Sequence, residues 1–300
     1  MKIKINDKEV VHAIASLCLI LLAIICIVPF LMIIAASLSS EDAIIANGYT
    51  IYPQGFTLAA YKELIGGMIS GGSIIPRAYA VTIWNTVGST ALMLCTVTPA
   101  GYALSRKNYR WKKLVTYYWL IPMLISAGGV ANYIHISRTL GLRNSLWVLL
   151  LPGGFSAWQA FMLRNFMAKL DEGFIEAAKI DGASEFQVLL RVFLPLTKPY
   201  VAVIAMRTML SNWNEWAPCM LYMSDDRYIT IQRYLQKILA NISFMKQALV
   251  EGGEFAEMTN LPSETLRMAI CVVAAAPMVC LFMYFQKYFV KGIAVGGIKG

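Results

Sequence analysis

The chain has 300 residues, 58% of them hydrophobic and only 14% charged, with a mean hydropathy of +0.59. A globular domain in water carries about 25% charged residues, so disordered chains, disulfide-stapled secreted domains and water-soluble enzymes fit poorly and a polytopic membrane protein fits well. The net charge of +9 could mean a nucleic-acid partner or the Lys and Arg that collect in cytoplasmic loops, and the placement of the cations decides between them.

A helix needs about 20 mostly apolar residues to cross the hydrocarbon core. In chain order the sequence predicts six transmembrane helices, at about 10–38, 78–105, 114–137, 144–163, 199–223 and 268–286. Lys2, Lys4 and Lys8 precede the first, and Ala35-Ala36-Ser37 resembles a cleavage site. Its apolar run far exceeds the roughly 7–15 residues of a signal h-region, so a retained helix is expected. The fifth stretch is interrupted by Arg207, Asn212, Asn214 and Glu215.

With the N-terminus inside, sixteen cations fall in cytoplasmic segments and nine in external ones. The bias is strongest in short segments such as Arg106, Lys107, Arg110, Lys112 and Lys113, as the positive-inside rule requires. The charge is thereby accounted for without nucleic acid. The expected organisation is a cytoplasmic N-terminus over 1–9, a membrane domain over 10–290 and a cytoplasmic tail over 291–300. External loops fall at about 39–77 and 224–267, with a long cytoplasmic loop at 164–198. No internal repeat is visible.

Cys18, Cys26, Cys95, Cys271 and Cys280 sit in apolar runs and Cys219 lies beside Pro218, with no CxxC and no Cys/His cluster at zinc spacing. His12 and His135 are too few and too separated for a metal site. GxSxG and HExxH are absent, which weighs against an intramembrane enzyme. The lack of a Gly-x-x-x-x-Gly-Lys-[ST] loop means that ATP hydrolysis would have to reside on another chain.

The loop at 164–198 is the most informative segment. Glu176-Ala177-Ala178-Lys179 is a strong helix former and Gly182 a natural stop supplying positive φ. Ser184 with Gln187 three residues on forms a capping box that restarts the chain, and Pro195 is expected to close the second helix. Phe186, Leu189, Leu190 and Phe193 make an apolar stripe on that helix. An interfacial helix would be rich in Lys and Arg on its polar face; this one is not, and a rigid plug for a protein partner is the better reading.

Glu176, Ala177, Ala178, Gly182, Val192, Leu194 and Pro195 occupy the pattern of the EAA signature, with Val192 where Ile is commoner and Asp181 beside Gly182 in the same loop. On these residues the chain resembles the permease subunits of bacterial ABC importers. Ala103-Leu104-Ser105-Arg106, Met162-Leu163-Arg164-Asn165-Phe166 and Asn212-Trp213-Asn214-Glu215-Trp216 are similar to carbohydrate-uptake permeases of the maltose-permease type. Leu261 to Ala269 and Gln286 to Gly292 are closer still to the lipoprotein/oligosaccharide permeases of Gram-positive bacteria.

The resemblance implies an all-α ABC type I importer fold, in which Glu176 to Gly182 is a coupling helix seated in a groove of a cytoplasmic ATPase. That ATPase dimer would hold the ATP and Mg, with no cofactor bound by this chain. A second homologous permease, an extracytoplasmic solute-binding lipoprotein and a glycan substrate complete the expected partners. The segment Ile242 to Glu264 would meet the binding protein, and the tail Gly296-Gly297-Ile298-Lys299-Gly300 would reach along the ATPase interface. Intramembrane polar residues are functional candidates. Asn212 and Glu215 are expected to share a helical face, as are Trp213 and Trp216; with Asn85 they form a possible substrate path, offering hydrogen bonds to hydroxyls and rings to sugar faces. These residues could equally link helices or pair with Arg207. A non-sugar cargo, a membrane scaffold and an intramembrane enzyme are the alternatives.

Overall fold

The computed structural model describes residues 7–69, 74–250 and 264–296, and among these it is mostly helical with no strand. The chain divides into two compact units, residues 1–73 with 240–276 and residues 74–239 with 277–300.

In the first unit α1 (Asp7–Ser37) is one long apolar helix. Its side chains are exposed along most of its length, Ile25 at 68%, as suits a helix solvated by lipid. Short helices α2 (Glu41–Asn47) and α3 (Ala59–Ile69) follow. The chain around them is pinned by Gln54 N donating to Ser39 Oγ (3.0 Å) and by a 2.8 Å bond between the Ser37 and Tyr61 hydroxyls. The long last helix, α15 (Glu264–Gly296), begins against the Glu41 carboxylate. That group accepts from Glu264 N (2.7 Å), Thr265 N (3.0 Å) and Thr265 Oγ1 (3.0 Å), a cap supplied from far away in the sequence.

The second unit is built on α4 (Ile74–Ser105), which packs against α8 (Ala157–Met167) and α12 (Lys198–Asn214). Gly101 lets α4 approach α8 closely, since a Cβ there would lie 3.1 Å from Leu163 Cβ and Cγ. The buried face of α4 carries Thr82, Asn85, Thr86, Ser89 and Thr90. Thr82 and Thr90 return their hydroxyls to Ala78 O (2.7 Å) and Thr86 O (2.6 Å), so these two are buried at little cost, as is usual between membrane helices.

Three helices are long and apolar enough to span a membrane, Val10–Ser37, Ile74–Ser105 and Glu264–Gln286, or up to five if each of two bent pairs counts as one. Several expected helices are corrected in shape. The stretch 114–137 is not straight: α5 (Lys112–Leu124) and α6 (Gly129–Ile134), extended by a π turn at His135–Thr139, meet at 113°. Ile125 is extended there and Gly128 has φ 83°, a conformation glycine adopts without penalty. The stretch 144–163 is likewise broken, into α7 (Trp147–Leu150) and α8. Pro152-Gly153-Gly154 lies between them, its carbonyl at Gly154 taken by Thr96 Oγ1 of α4 (2.6 Å), and Ser156 caps α8. The stretch 199–223 divides into α12 and α13 (Ala217–Tyr222). Pro218 has no N–H to offer the Asn214 carbonyl, and Glu215 is extended instead. The helix expected over 268–286 begins earlier and ends later, as α15.

Candidate functional site

The loop following α8 forms two helical arms. Asp171 Oδ1 accepts from Gly173 N (2.9 Å) and starts α9 (Gly173–Ile180). The arm ends in a Schellman motif: Ala183 N donates to Ala178 O (2.9 Å) and Gly182 N to Lys179 O (3.0 Å), with Gly182 at φ 76°. Ala178 and Ala183, the two ends of that motif, both pack against the core. Small size at Ala178 therefore has a cause within this chain. The capping box is present, with Gln187 N donating to Ser184 Oγ (3.3 Å) and Ser184 N to Gln187 Oε1 (2.8 Å).

The second arm runs through α10 (Glu185–Val188), a π turn at Leu189–Phe193 and α11 (Leu194–Leu196). Pro195 does not close it. Leu194 N reaches back to Leu189 O, and this widened turn accommodates the proline ring, so the arm ends one residue later. At Thr197 the chain turns by 83° into α12. The corner is buried and closed by Thr197 N and Oγ1, which both donate to Phe193 O (2.8 and 2.7 Å).

Both arms are seated on the membrane helices by one apolar cluster, with Ile175, Val188, Leu189 and Phe193 packed among Met93, Val97 and Tyr102 of α4 and Leu163 and Met167 of α8. The expected stripe is split by this packing. Leu189 and Phe193 are buried, whereas Phe186 and Leu190 are exposed and help line an apolar recess of about 430 Å³ with Leu94, Pro99 and Val201. Polar links add to the apolar ones. Lys179 Nζ pairs with Glu185 Oε1 (2.6 Å) across the turn, the Tyr102 hydroxyl donates to the other Glu185 oxygen, and Lys107 pairs with Glu172 (3.0 Å). The Lys179 ammonium and then the Tyr102 hydroxyl hold the Glu185 carboxyl below the usual carboxylate range.

The outward side of the first arm has no partner among the described residues. Glu176, Ala177, Asp181 and Gly182 are exposed, beside Phe174 at 53% and Ile180 at 86% exposure. Val192 and Leu194 are half-buried and Pro195 is exposed. The loop thus separates into an inner face that anchors and an outer face, apolar with the two carboxylates of Glu176 and Asp181, that can dock.

Of the expected path residues, Asn85 and Asn212 are brought together. Asn85 Nδ2 donates to Asn212 O (3.3 Å), Ser89 Oγ donates to Asn85 Oδ1 (3.0 Å), and Asn212 Nδ2 donates to Thr208 O (2.9 Å). Trp213 is buried, its ring 6.2 Å from that of Tyr79, so it has no free face for a ligand. Glu215 does not share a helical face with Asn212, because α12 has ended; its carboxylate accepts from Ala217 N (3.3 Å) at the start of α13. Trp216 is exposed in the break.

The structure adds a feature that the sequence reading did not assemble. Arg207, Ser211 and Asn214 are all exposed on α12, and spacings of four and three put them on one face. Asn214 Oδ1 accepts from Gln232 Nε2 (3.4 Å). Among the described residues no carboxylate lies within ion-pair distance of Arg207. An arginine at the centre of a membrane helix costs about 2.5–3.5 kcal/mol to insert. The signal was available as polar residues at helical spacing within an apolar run.

Among the described residues no three His, Cys, Asp or Glu side chains group as metal ligands. Gly296 ends α15, and Gly297 to Gly300 lie outside the described residues, as does 251–263 of the segment expected to meet a binding protein.

Comparison with known proteins gives a consistent result. The family described as binding-protein-dependent transport system inner membrane component matches residues 8–295. The polygalacturonan/rhamnogalacturonan transport system permease protein YtcP of Bacillus subtilis (strain 168) is 30% identical over 282 residues, covering 94% of this chain and 96% of YtcP. Protein LplC of the same organism is 30% identical over 276 residues, covering 92% and 90%. A solved chain from a bacterial ABC transporter involved in the import of the acidic polysaccharide alginate superposes with a TM-score of 0.80 at 25% identity, covering 96% of this chain and all of that one.

Proposed function

The chain belongs to the family of binding-protein-dependent transport system inner membrane components, and on that premise we propose how this multi-pass membrane permease works. It forms half of the translocation path of an ABC importer for an oligosaccharide, and a second homologous permease forms the other half. ATP and Mg are held by a partner ATPase dimer, and an extracytoplasmic lipoprotein delivers the cargo. A glycan cargo is supported by the relative YtcP, whose name specifies polygalacturonan and rhamnogalacturonan, and by the alginate importer. The chain crosses the membrane six times, with α1, α4, the bent α5–α6 pair, the α7–α8 stretch, α12–α13 and α15 as the passes. Both termini are cytoplasmic, a topology supported by the cations of the short loops.

The observation that carries the coupling role is the division of the 164–198 loop into an anchored inner face and an unpartnered outer one. Glu176 presents charge to basic groups of an ATPase groove, Ala177 permits close approach, and the turn at Gly182 fixes the angle of the helix. The residues Asn85, Asn212, Glu215 and Trp216 stand at or near the path, with Trp213 as support. The test is uptake and ATP hydrolysis in the assembled transporter. Glu176→Lys or Gly182→Pro should leave the subunit in the membrane and uncouple hydrolysis from uptake. Normal uptake by either variant would defeat the coupling role.

A further inference from the structure

We propose that Arg207, Ser211 and Asn214 form a polar rail along the translocation path, and that Arg207 makes the importer selective for oligosaccharides bearing carboxylates. The proposal rests on the permease reading and goes further by naming the substrate class and the residue that selects it.

The argument begins with the pattern of α12. Ile204, Ala205 and Thr208 are buried, whereas Arg207, Ser211 and Asn214 are exposed on another face. Lipid tails offer no hydrogen bonds, so a polar face on a membrane helix turns toward water or protein. Arg207 is nine residues beyond Lys198, which at 1.5 Å per residue is about 13 Å along the helix and close to the midplane of a hydrocarbon core about 30 Å thick. That depth puts the guanidinium beyond lipid phosphates and at the level where cargo must pass.

The neighbouring asparagine side chains are already engaged. Asn85 and Asn212 are bonded to Ser89, to each other and to Thr208, while Asn214 Nδ2 donates to Leu210 O (2.9 Å). Arg207 has no carboxylate partner among the described residues, and it keeps a planar fork of donors that matches a carboxylate in two-point contact. Neutral hydroxyls could be served by Ser and Asn alone; a permanent cation is complementary to an anion. Ser211, one turn above, and the second N–H of the Asn214 amide provide hydrogen-bonding groups for the hydroxyls of the same chain.

The test uses the full transporter with its binding protein in proteoliposomes. The probes are trigalacturonate and its neutral methyl ester, each at a concentration that saturates the binding protein. Arg207→Gln should lower trigalacturonate uptake by about tenfold or more, leave ester uptake within about twofold, and be largely rescued by Arg207→Lys. With the six native cysteines replaced, Arg207→Cys should react with a cationic thiol reagent, regain acidic-substrate uptake on modification, and be protected by trigalacturonate. Equal loss of both substrates in an intact complex would overturn the proposal. So would loss of the second permease from the Arg207→Gln complex, which would assign the cation to an acid across the subunit interface. Wild-type uptake confined to neutral sugars would overturn the substrate class and leave the permease reading standing. Absence of any saccharide uptake alongside intact ATPase coupling would instead remove the oligosaccharide reading on which the proposal rests.

Discussion

Replacing Gly182 by alanine isolates a backbone term in the candidate coupling loop. Gly182 has φ 76°, and a Cβ built on it would meet nothing within 4 Å, so steric conflict with neighbours contributes nothing. What remains is the cost of holding an L-residue in left-handed conformation, about 1–2 kcal/mol, which corresponds to roughly a 5–30-fold shift in the equilibrium between the closed turn and an opened one. Asparagine tolerates this region better, and Gly182→Asn should recover a good part of the difference. The readout is amide hydrogen exchange in the purified transporter over residues 173–188, where the Ala183 N–H to Ala178 O bond reports the turn directly. Gly182→Ala should speed exchange there and raise the ATP hydrolysed per solute imported, while exchange in α4 stays unchanged. Wild-type protection in Gly182→Ala, or equal damage from alanine and asparagine, would refute the conformational argument.

Glu41→Ala removes the three bonds that cap the start of α15 and should cost about 1–2 kcal/mol; Glu41→Gln should lose less, as hydrogen exchange at residues 264–270 would measure. Gly101→Ala drives a methyl to 3.1 Å from Leu163 and should cost about 1–3 kcal/mol by overpacking. Leu163→Ala alone opens a cavity worth about 2–5 kcal/mol, and the double variant should be less damaged than the sum, so additive losses in thermal unfolding would count against this contact. The Glu185 carboxyl is held below its ordinary range, so its bonds to Lys179 and Tyr102 contribute fully above the unfolded-state value and are lost as pH falls through the lower folded one. Because Glu185 is 57% exposed, the ion pair should contribute no more than about 1 kcal/mol. Loop protection in the wild type should drop in acid, and a Glu185→Gln variant should lack that step.

The parts of the loop set by neighbouring residues were legible in the sequence. Gly182 and the Ser184–Gln187 box are local devices, and each formed with the hydrogen bonds expected of it. The family was legible from the same residues, and the match over 8–295 accords with it. The bends were not. A hydropathy sum treats Pro152-Gly153-Gly154 or Ile125–Gly128 as part of an apolar run, although bonds such as Thr96 to Gly154 O come from another helix and permit the backbone to break. The shared face was misjudged for a related reason: spacing assigned Glu215 to the face of Asn212 on the assumption of one continuous helix, and Pro218 ends that helix first. Trp213 looked free because sequence does not reveal Tyr79 beside it.

The corner at Thr197 makes a bell crank of this polypeptide. One arm, Glu185–Leu196, is about 18 Å long and the other reaches Arg207 about 15 Å from the pivot at 1.5 Å per residue. The two arms meet at 83°, so a push across the outer end of one, in the plane that the two arms define, becomes travel of comparable size at the other. A tilt of about 5° about the pivot carries the guanidinium roughly 1 Å, enough to make or break a hydrogen bond. The buried threonine supplies the stiffness at the pivot, because two donors on one residue seize the same Phe193 carbonyl and leave the angle between the arms little freedom to relax.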